Sequence, residues 1–394
     1  MKITKFFALL CAAASLSIAG CEPIDDNTNG NGNGNENTGG ENNGENNGEN
    51  NGGDNTESTL VLSAKQTVVT GEAIVFTVLE NDVDVTNELD ENGNKRAKIF
   101  NKADYKEVSN PYMPEEDGTY EFYAVYGTSI SKTIGVKVVP AIPNLPEDSE
   151  PDNLSFNHRV LLVDHTGTKC GYCPKMMAAI KEVVNNNAYH DKFYEAMSHS
   201  YNSDDPAWSR AAEVIKMHYH SLIEGYPTAT FNFYHPIPAG YYASDIKSQI
   251  DALWKAEGAD VGVTAAAAGG NTVVVVKAGV KAKVTGDYSI TAWLLEDNIY
   301  APQAGTTNEE FYTHNNAVRN IASSEPITGF SLGTIEAGKS TTYDMTMDIV
   351  SPEWKGENMK VLVIVSALNE SKRYEIANMA ICPVNGSVGY DYKR

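Results

Sequence analysis

Residues 159–184 constrain the fold of this chain more than any other stretch. Val160-Leu161-Leu162-Val163 is an uninterrupted apolar run, fit for a strand buried on both faces of a parallel sheet. The loop His165-Thr166-Gly167-Thr168-Lys169 follows, and Cys170-Gly171-Tyr172-Cys173-Pro174 then opens a stretch in which Met176, Met177, Ile180, Val183 and Val184 recur at helical spacing. A helix N-terminus stabilises Cys170 as a thiolate, and Cys173, one turn on, is placed to resolve a mixed disulfide. Lys169 adds positive charge beside the pair. The same Cys-x-x-Cys supplies half of a zinc site, but a closed site needs four ligands. The other cysteines beyond residue 20 are Cys21 and Cys382, so His165, His199 or another histidine would have to complete it. A purely structural disulfide closing so short a loop constrains the unfolded chain little. Redox exchange is therefore the favoured reading, with no metal and no cofactor.

Strand, loop and Cys-x-x-Cys at a helix start resemble the thioredoxin arrangement, and two further positions extend the resemblance. Gly225-Tyr226-Pro227-Thr228 precedes the strand-like Ala229-Thr230-Phe231-Asn232-Phe233 and resembles the cis-proline loop that thioredoxin-fold proteins place against the active-site disulfide. The resemblance implies that Tyr226 and Pro227, with Tyr172 between the cysteines, dock the substrate strand. Asp164, six residues before Cys170, stands where many thioredoxins keep a buried carboxylate that accepts the proton of the second cysteine; the alternative is a solvated strand-end Asp. The resemblance covers residues 154–257 and has departures. Lys169 stands where a tryptophan usually precedes the first cysteine, and Gly171-Tyr172 matches the dipeptide of bacterial periplasmic disulfide isomerases instead of the reductase pair. Asp205-Pro206 reads as the start of an inserted helix with the apolar stripe Trp208, Ala212, Ile215, Tyr219 and Leu222, packed on the domain and able to lie over the site. His218 and His220 near its end read as solvated, and Ile246, Ile250, Leu253 and Trp254 make a closing amphipathic helix.

The N-terminus addresses compartment. Lys2 and Lys5 precede an apolar run from Phe6 to Ile18, too short to span a bilayer, and small residues lead to Cys21. Leu16-Ser17-Ile18-Ala19-Gly20-Cys21 resembles the lipobox of bacterial lipoproteins, which implies a signal peptide over 1–20 and an acylated Cys21 partnered with membrane lipid. Asn27 to Asp54 has no apolar residue and repeats Gly-Glu-Asn-Asn, so 21–57 reads as a disordered tether with a reach of roughly 30–36 Å. Glu22, Asp25 and Asp26 resemble the export signal of Bacteroidetes surface lipoproteins; the bland reading is a charged tether start. With 30 Lys+Arg against 52 Asp+Glu the net charge is −22, and no basic patch is present, so nucleic acid is not expected as a partner.

Residues 58–140 carry β-branched and aromatic runs at 60–62, 73–78, 120–126 and 134–139, an all-β sandwich of immunoglobulin size without cysteine. Asp117-Gly118-Thr119-Tyr120 resembles the tyrosine corner of immunoglobulin-like domains. Asp82 and Asp84 suggest calcium, though an isolated Asp-x-Asp is more often solvated charge. Pro143, Pro146 and Pro151 mark 141–153 as a stiff acidic linker. Residues 258–394 return to strands, at 261–267, 272–280, 288–295, 341–347, 360–368 and 374–381, a C-terminal β-sandwich in which Cys382 reads as a buried thiol. Phe311-Tyr312-Thr313-His314-Asn315-Asn316-Ala317-Val318-Arg319 interrupts them. With the thioredoxin-like half, that segment resembles the Bacteroidetes outer membrane protein 28-related lipoproteins over 154–394, which implies an outer-membrane lipoprotein on the periplasmic or cell-surface face and no defined reaction. His314 and Arg319 read as ordering a loop, with anion binding as the alternative.

The expectation is a multidomain protein of immunoglobulin-like β-sandwich, thioredoxin-like α/β domain and C-terminal β-sandwich, working as a membrane-anchored thiol-disulfide oxidoreductase or isomerase. Cys170 attacks, Cys173 resolves, Asp164 manages protons, and Tyr226, Pro227 and Tyr172 dock exported protein substrates, with a redox partner restoring the pair. The rival is a surface binding or adhesion lipoprotein that keeps the fold as a redox-inactive scaffold.

Overall fold

A computed structural model describes residues 59–236 and 241–394. The signal peptide expected at 1–20, the expected lipidation at Cys21 and the tether expected at 21–57 lie outside the described residues.

Alternation drives the N-terminal part. Leu60 and Leu62 turn inward from Leu60–Ala64, Phe76 and Val78 from Phe76–Glu80, while their neighbours face out. These strands and Val83–Asp84 form a three-stranded antiparallel sheet. Its apolar face meets a six-stranded sheet of Thr67–Val69, Ile134–Val139, Gly118–Tyr126, Ala97–Asn101 and Glu107–Val108, with Ser129–Ile130 on the side. Phe76 and Phe122 meet edge-on at 4.8 Å in the shared core. The run expected to form a strand from 73 joins the three-stranded sheet only from Phe76; before it, Ile74 bridges Tyr112 (Ile74 N to Tyr112 O 2.8 Å, Tyr112 N to Ile74 O 2.9 Å), and the Asn110 side chain extends that second edge by accepting from Phe76 N (3.0 Å) and donating to Phe76 O (2.9 Å). Tyr120 Oη donates to Glu116 O at 2.9 Å, the bond back to the chain that its sequence context predicts. Asn81 and Asp82 both have positive φ and turn the hairpin, and Asp84 accepts from Thr86 N, which accounts for the Asp-x-Asp pair.

Val160–Thr166 is buried at all seven positions and lies in a nine-stranded sheet. It pairs parallel with Phe193–His199 and antiparallel with Thr228–Phe231. Helices α1 (Cys173–Val184) and α3 (Ala243–Leu253) cover one face, where Val160 and Leu162 pack on Met176, Ile180, Val183, Ile246 and Ile250. Helix α2 (Arg210–Tyr219) covers the other, where Leu161 and Val163 meet Ile215, Tyr219 and Trp293. The inserted helix thus begins later than Asp205-Pro206: Ser209 Oγ accepts from Ala212 N and caps it, while Asp205 is committed elsewhere. Its stripe buries on the face opposite α1, so it does not lie over the cysteines.

The sheet does not stop at the boundary expected at residue 257. Phe193–His199 would leave an open edge, and Ala317–Ile321 closes it through Met197 opposite Ala317, with Met197 N donating to Asn316 O at 2.8 Å. The sheet then runs on through Gly286–Glu296, Met359–Leu368 and Tyr374–Pro383. In Gly286–Glu296, Ile290, Ala292 and Leu294 face a four-stranded sheet of Ser340–Asp348, Val273–Ala282, Val261–Gly269 and Gly386–Val388, whereas Trp293 and Leu295 face α2. Both faces are covered, which explains the continuous apolar run. Cys382 is buried in this sandwich core, where burial pushes its thiol up to about 12.

The acidic linker is pinned by side-chain contacts. Lys281, nearly buried beside the Tyr390 and Tyr392 rings, donates to Asp148 Oδ2 at 2.6 Å and Glu150 O at 3.2 Å. Asp117 also caps the Asn271 and Thr272 N–H groups at 2.7 and 2.8 Å, and Lys137 pairs with Asp348 at 2.6 Å. The protein is β-rich with several sheets, and no described helix is long and apolar enough to cross a membrane.

Candidate active site around Cys170 and Cys173

The central strand ends at Thr166 and delivers the chain to a tight loop. Gly167 is required there, since a Cβ would meet the Tyr201 Cβ at 2.5 Å. Thr168 N donates to Asp205 Oδ2 (2.7 Å), Cys170 N to Gly167 O (3.0 Å) and Cys173 N to Cys170 O (3.2 Å). Cys173 is the first residue of α1, Pro174 sits in its first turn, and no acidic residue offsets the field of the helix N-terminus. Cys170 and Cys173 are joined as a disulfide with S–S 2.02 Å. Of the histidines named for a zinc site, His165 Nε2 lies 3.1 Å from Thr230 Oγ1 and His199 Nδ1 lies 2.9 Å from Asp205 Oδ2, while the other ring nitrogen of each is buried without a partner. Lys169 does not add free positive charge, because it pairs with Asp204.

Asp164 is fully buried, and neither carboxylate oxygen has a partner. Strand alternation puts it on the face of Val160 and Leu162, the face covered by α1, and Cys173 at the head of that helix is itself 0% exposed. Burial, reinforced by the charge of Glu195, raises its pKa well above the ordinary carboxyl value. It is therefore not a solvated strand-end residue.

Tyr226 and Pro227 sit beside the same loop. The strand they introduce places Thr228 opposite His165, and the Tyr226–Pro227 peptide is cis. Tyr226 Oη lies 3.1 Å from Ser200 Oγ, and its ring meets Tyr201 edge-on at 5.2 Å. Tyr172 is 63% exposed at the start of α1, with Lys175 Nζ 5.1 Å from its ring centroid.

The sequence does not reveal what covers the pair. A strap at 301–305, from the C-terminal half, lies along the loop: Ala304 N donates to Thr168 O (2.8 Å), and Gln303 Nε2 donates to Cys170 O (3.0 Å) and Gly167 O (3.3 Å). Gly305, at φ +83°, approaches so closely that a Cβ would meet Gly171 O at 2.0 Å. Cys170 is 3% exposed. His314 secures the strap from behind, its Nε2 3.1 Å from Ala301 O and its ring edge-on to His199 at 5.0 Å. Burial pushes Asp205 up, but the His199 hydrogen bond and charge and two backbone N–H groups outweigh it, holding the carboxyl well below its usual range. Arg319 is spent on Glu296 (2.6 Å) and on Pro206 O and Trp208 O, so the His314 to Arg319 segment orders structure here and presents no free cation.

A pocket of about 360 Å³ opens beside α1, with Met177, Ile180, Val184, Met197 and Phe311 on its walls. Glu195 reaches it from the strand next to Asp164, accepting from Asn316 Nδ2 at 3.2 Å. Burial raises Glu195 to about 7 against the pull of Lys360 and the Asn316 bond.

No family model matches the chain, and no curated protein matches it. Among solved structures, HBP35 of Porphyromonas gingivalis is similar over 58% of this chain and 76% of that chain, at 21% identity and a TM-score of 0.50. That likeness bears on fold alone. A surface layer protein structure, SbsC domains 4–9, aligns over 84% of this chain and 51% of that chain at 10% identity, and its TM-score of 0.15 carries no argument.

Proposed function

We propose that the chain is a membrane-anchored, extracytoplasmic thiol-disulfide oxidoreductase or isomerase acting on exported proteins, built on a thioredoxin-like domain at 154–257. The immunoglobulin-like sandwich at 58–140 and the sandwich at 258–394 flank that domain, and Cys21 supplies the lipid anchor at the outer membrane. One observation carries the reading: a Cys170–Cys173 disulfide heads α1 above a sheet face that holds a buried, unpartnered Asp164. The parallel and antiparallel neighbours of the central strand support it, as does the fold likeness to a Bacteroidetes protein. In the disulfide form a substrate thiolate attacks Cys170 Sγ, the Cys170–Cys173 bond breaks, and Cys173 leaves as a thiolate that takes the Asp164 proton. A second substrate thiolate then displaces Cys170, so that the substrate is oxidised and the protein dithiol formed.

The rival reading, a surface-binding lipoprotein with a redox-inactive scaffold, draws on the low exposure of Cys170 beneath the strap. Trapping separates the two. Cys173→Ser cannot resolve a mixed disulfide, so in cells it accumulates disulfide-linked exported proteins that reductant releases and that Cys170→Ser lacks. Failure to trap, with no turnover of a protein disulfide by the wild-type chain, would leave the scaffold.

A further inference from the structure

Both Asp164 oxygens are buried and unpartnered, and the strap closes the loop above the cysteines. A proton donor that must be reloaded on each cycle needs a second group that reaches both it and solvent. The adjacent strand supplies one. Register places Leu162 opposite Glu195 and Asp164 opposite Met197, so Glu195 and Asp164 are diagonal neighbours on the α1 face. Glu195 also lines the open pocket between α1 and the 310–316 segment. We infer that Glu195 is a second proton carrier, linking buried Asp164 to the water of this pocket during exchange at Cys170 and Cys173. The inference rests on the redox reading above and adds a residue and a path to it.

The step balances. Once Asp164 has given its proton to the Cys173 thiolate, the Asp164 carboxylate takes a proton from the Glu195 carboxyl, its diagonal neighbour and not its hydrogen-bond partner in the resting structure, so the transfer requires a side-chain rotation that brings the two carboxyls into contact. Glu195 then takes one from water in the pocket, and the path runs in reverse when the dithiol is reoxidised by a protein disulfide. The groups around Glu195 suit a carboxyl that changes charge near neutrality. Asp164 faces it from the central strand, Asn316 donates to it, and the Lys360–Asp297 pair (2.6 Å) lies close enough to act on it from the other side. Lys181 and Glu310, paired with each other, stand at the pocket rim. Held at about 7, Glu195 is divided between acid and base at neutral pH, the condition for relaying in both directions.

The test follows steady-state turnover, the reduction of a protein disulfide by dithiothreitol catalysed by the full chain, from pH 5 to 9, with rates corrected for the uncatalysed reaction and for the thiolate fraction of the reductant. Wild type should slow as pH rises through about 7. Glu195→Gln should lose that limb and fall by about tenfold at pH 6, less than the ~10²–10⁴ of a group that transfers the proton directly, since Asp164 remains. Glu195→Asp should restore part of the limb, which a packing defect would not do. Carbon-13 carboxyl spectra give a readout independent of turnover: a Glu titrating near 7 in wild type, absent in Glu195→Gln. An unchanged profile in Glu195→Gln, or a Glu195 that titrates near 4, overturns the relay while leaving the redox reading in place. A wild-type disulfide that no thiol reduces at any pH overturns both.

Discussion

Asp164 couples the candidate site to stability, and the sign follows from its burial. An unfolded Asp titrates near 3.9, whereas the buried carboxyl holds its proton to much higher pH. The folded chain therefore binds more protons between these values, and stability is full below about pH 4 and is lost as pH rises toward the folded pKa. Asp164→Asn removes that loss. In urea unfolding it should match wild type near pH 4 and exceed it by a margin that widens to pH 8; a constant offset would mean that Asp164 finds a partner in solution. The residue itself is legible in the sequence through the thioredoxin resemblance, which implies a buried carboxyl at the position six residues before the first cysteine; spacing alone leaves a solvated strand-end Asp open. Glu195 and Gln303 are not, since neither stands in a motif and each matters through a strand pairing or a strap that spacing does not reveal.

Among the elements, the 301–305 strap lies over the cysteine loop and leaves Cys170 3% exposed. Gln303 makes two hydrogen bonds to the cysteine loop, and each neutral bond contributes about 1 kcal/mol net. Gln303→Ala should loosen the strap by about 1–2 kcal/mol and speed reduction of the disulfide by roughly 5–30-fold. Gly305→Ala should act in the same direction, because its Cβ collides with Gly171 backbone. Peptide-level alkylation after timed reduction measures both, and wild-type rates in both variants would show that the strap does not gate Cys170. Elements with strong periodicity are readable: α1 from its Met and Ile spacing, and the six long C-terminal strands to within two residues of their ends, whereas the shorter Ala317–Ile321, Phe330–Ile335 and Gly386–Val388 are not. The inserted helix starts later than its sequence suggests because Asp205 has the chemistry of a helix cap but is drawn to His199 and Thr168.

Across the described residues, the N-terminal sandwich is tied to the C-terminal strands by specific polar contacts, and residues 154–257 and 258–394 share one continuous sheet, neither of which composition encodes. Sequence gives the inward faces of strands, but not which edge a strand such as Phe193–His199 seeks. Lys281 is the tie most open to test. Removing one partner of a fully buried pair costs about 3–5 kcal/mol, and the cost here is smaller because Asp148, which with the Tyr392 hydroxyl would lose its cation, is a quarter exposed. Lys281→Ala should lower the unfolding midpoint and expose 141–153 to proteases; resistance equal to wild type would show that the linker is held by other contacts. The central claim, that Cys170 and Cys173 form a working redox couple, is tested most directly by the pH dependence of Cys170 alkylation in the full chain equilibrated across glutathione buffers. The account predicts a reversible couple and a thiolate pKa well below the free value of about 8.5. A Cys170 that stays inert in every buffer, or titrates at or above the free value, would contradict it.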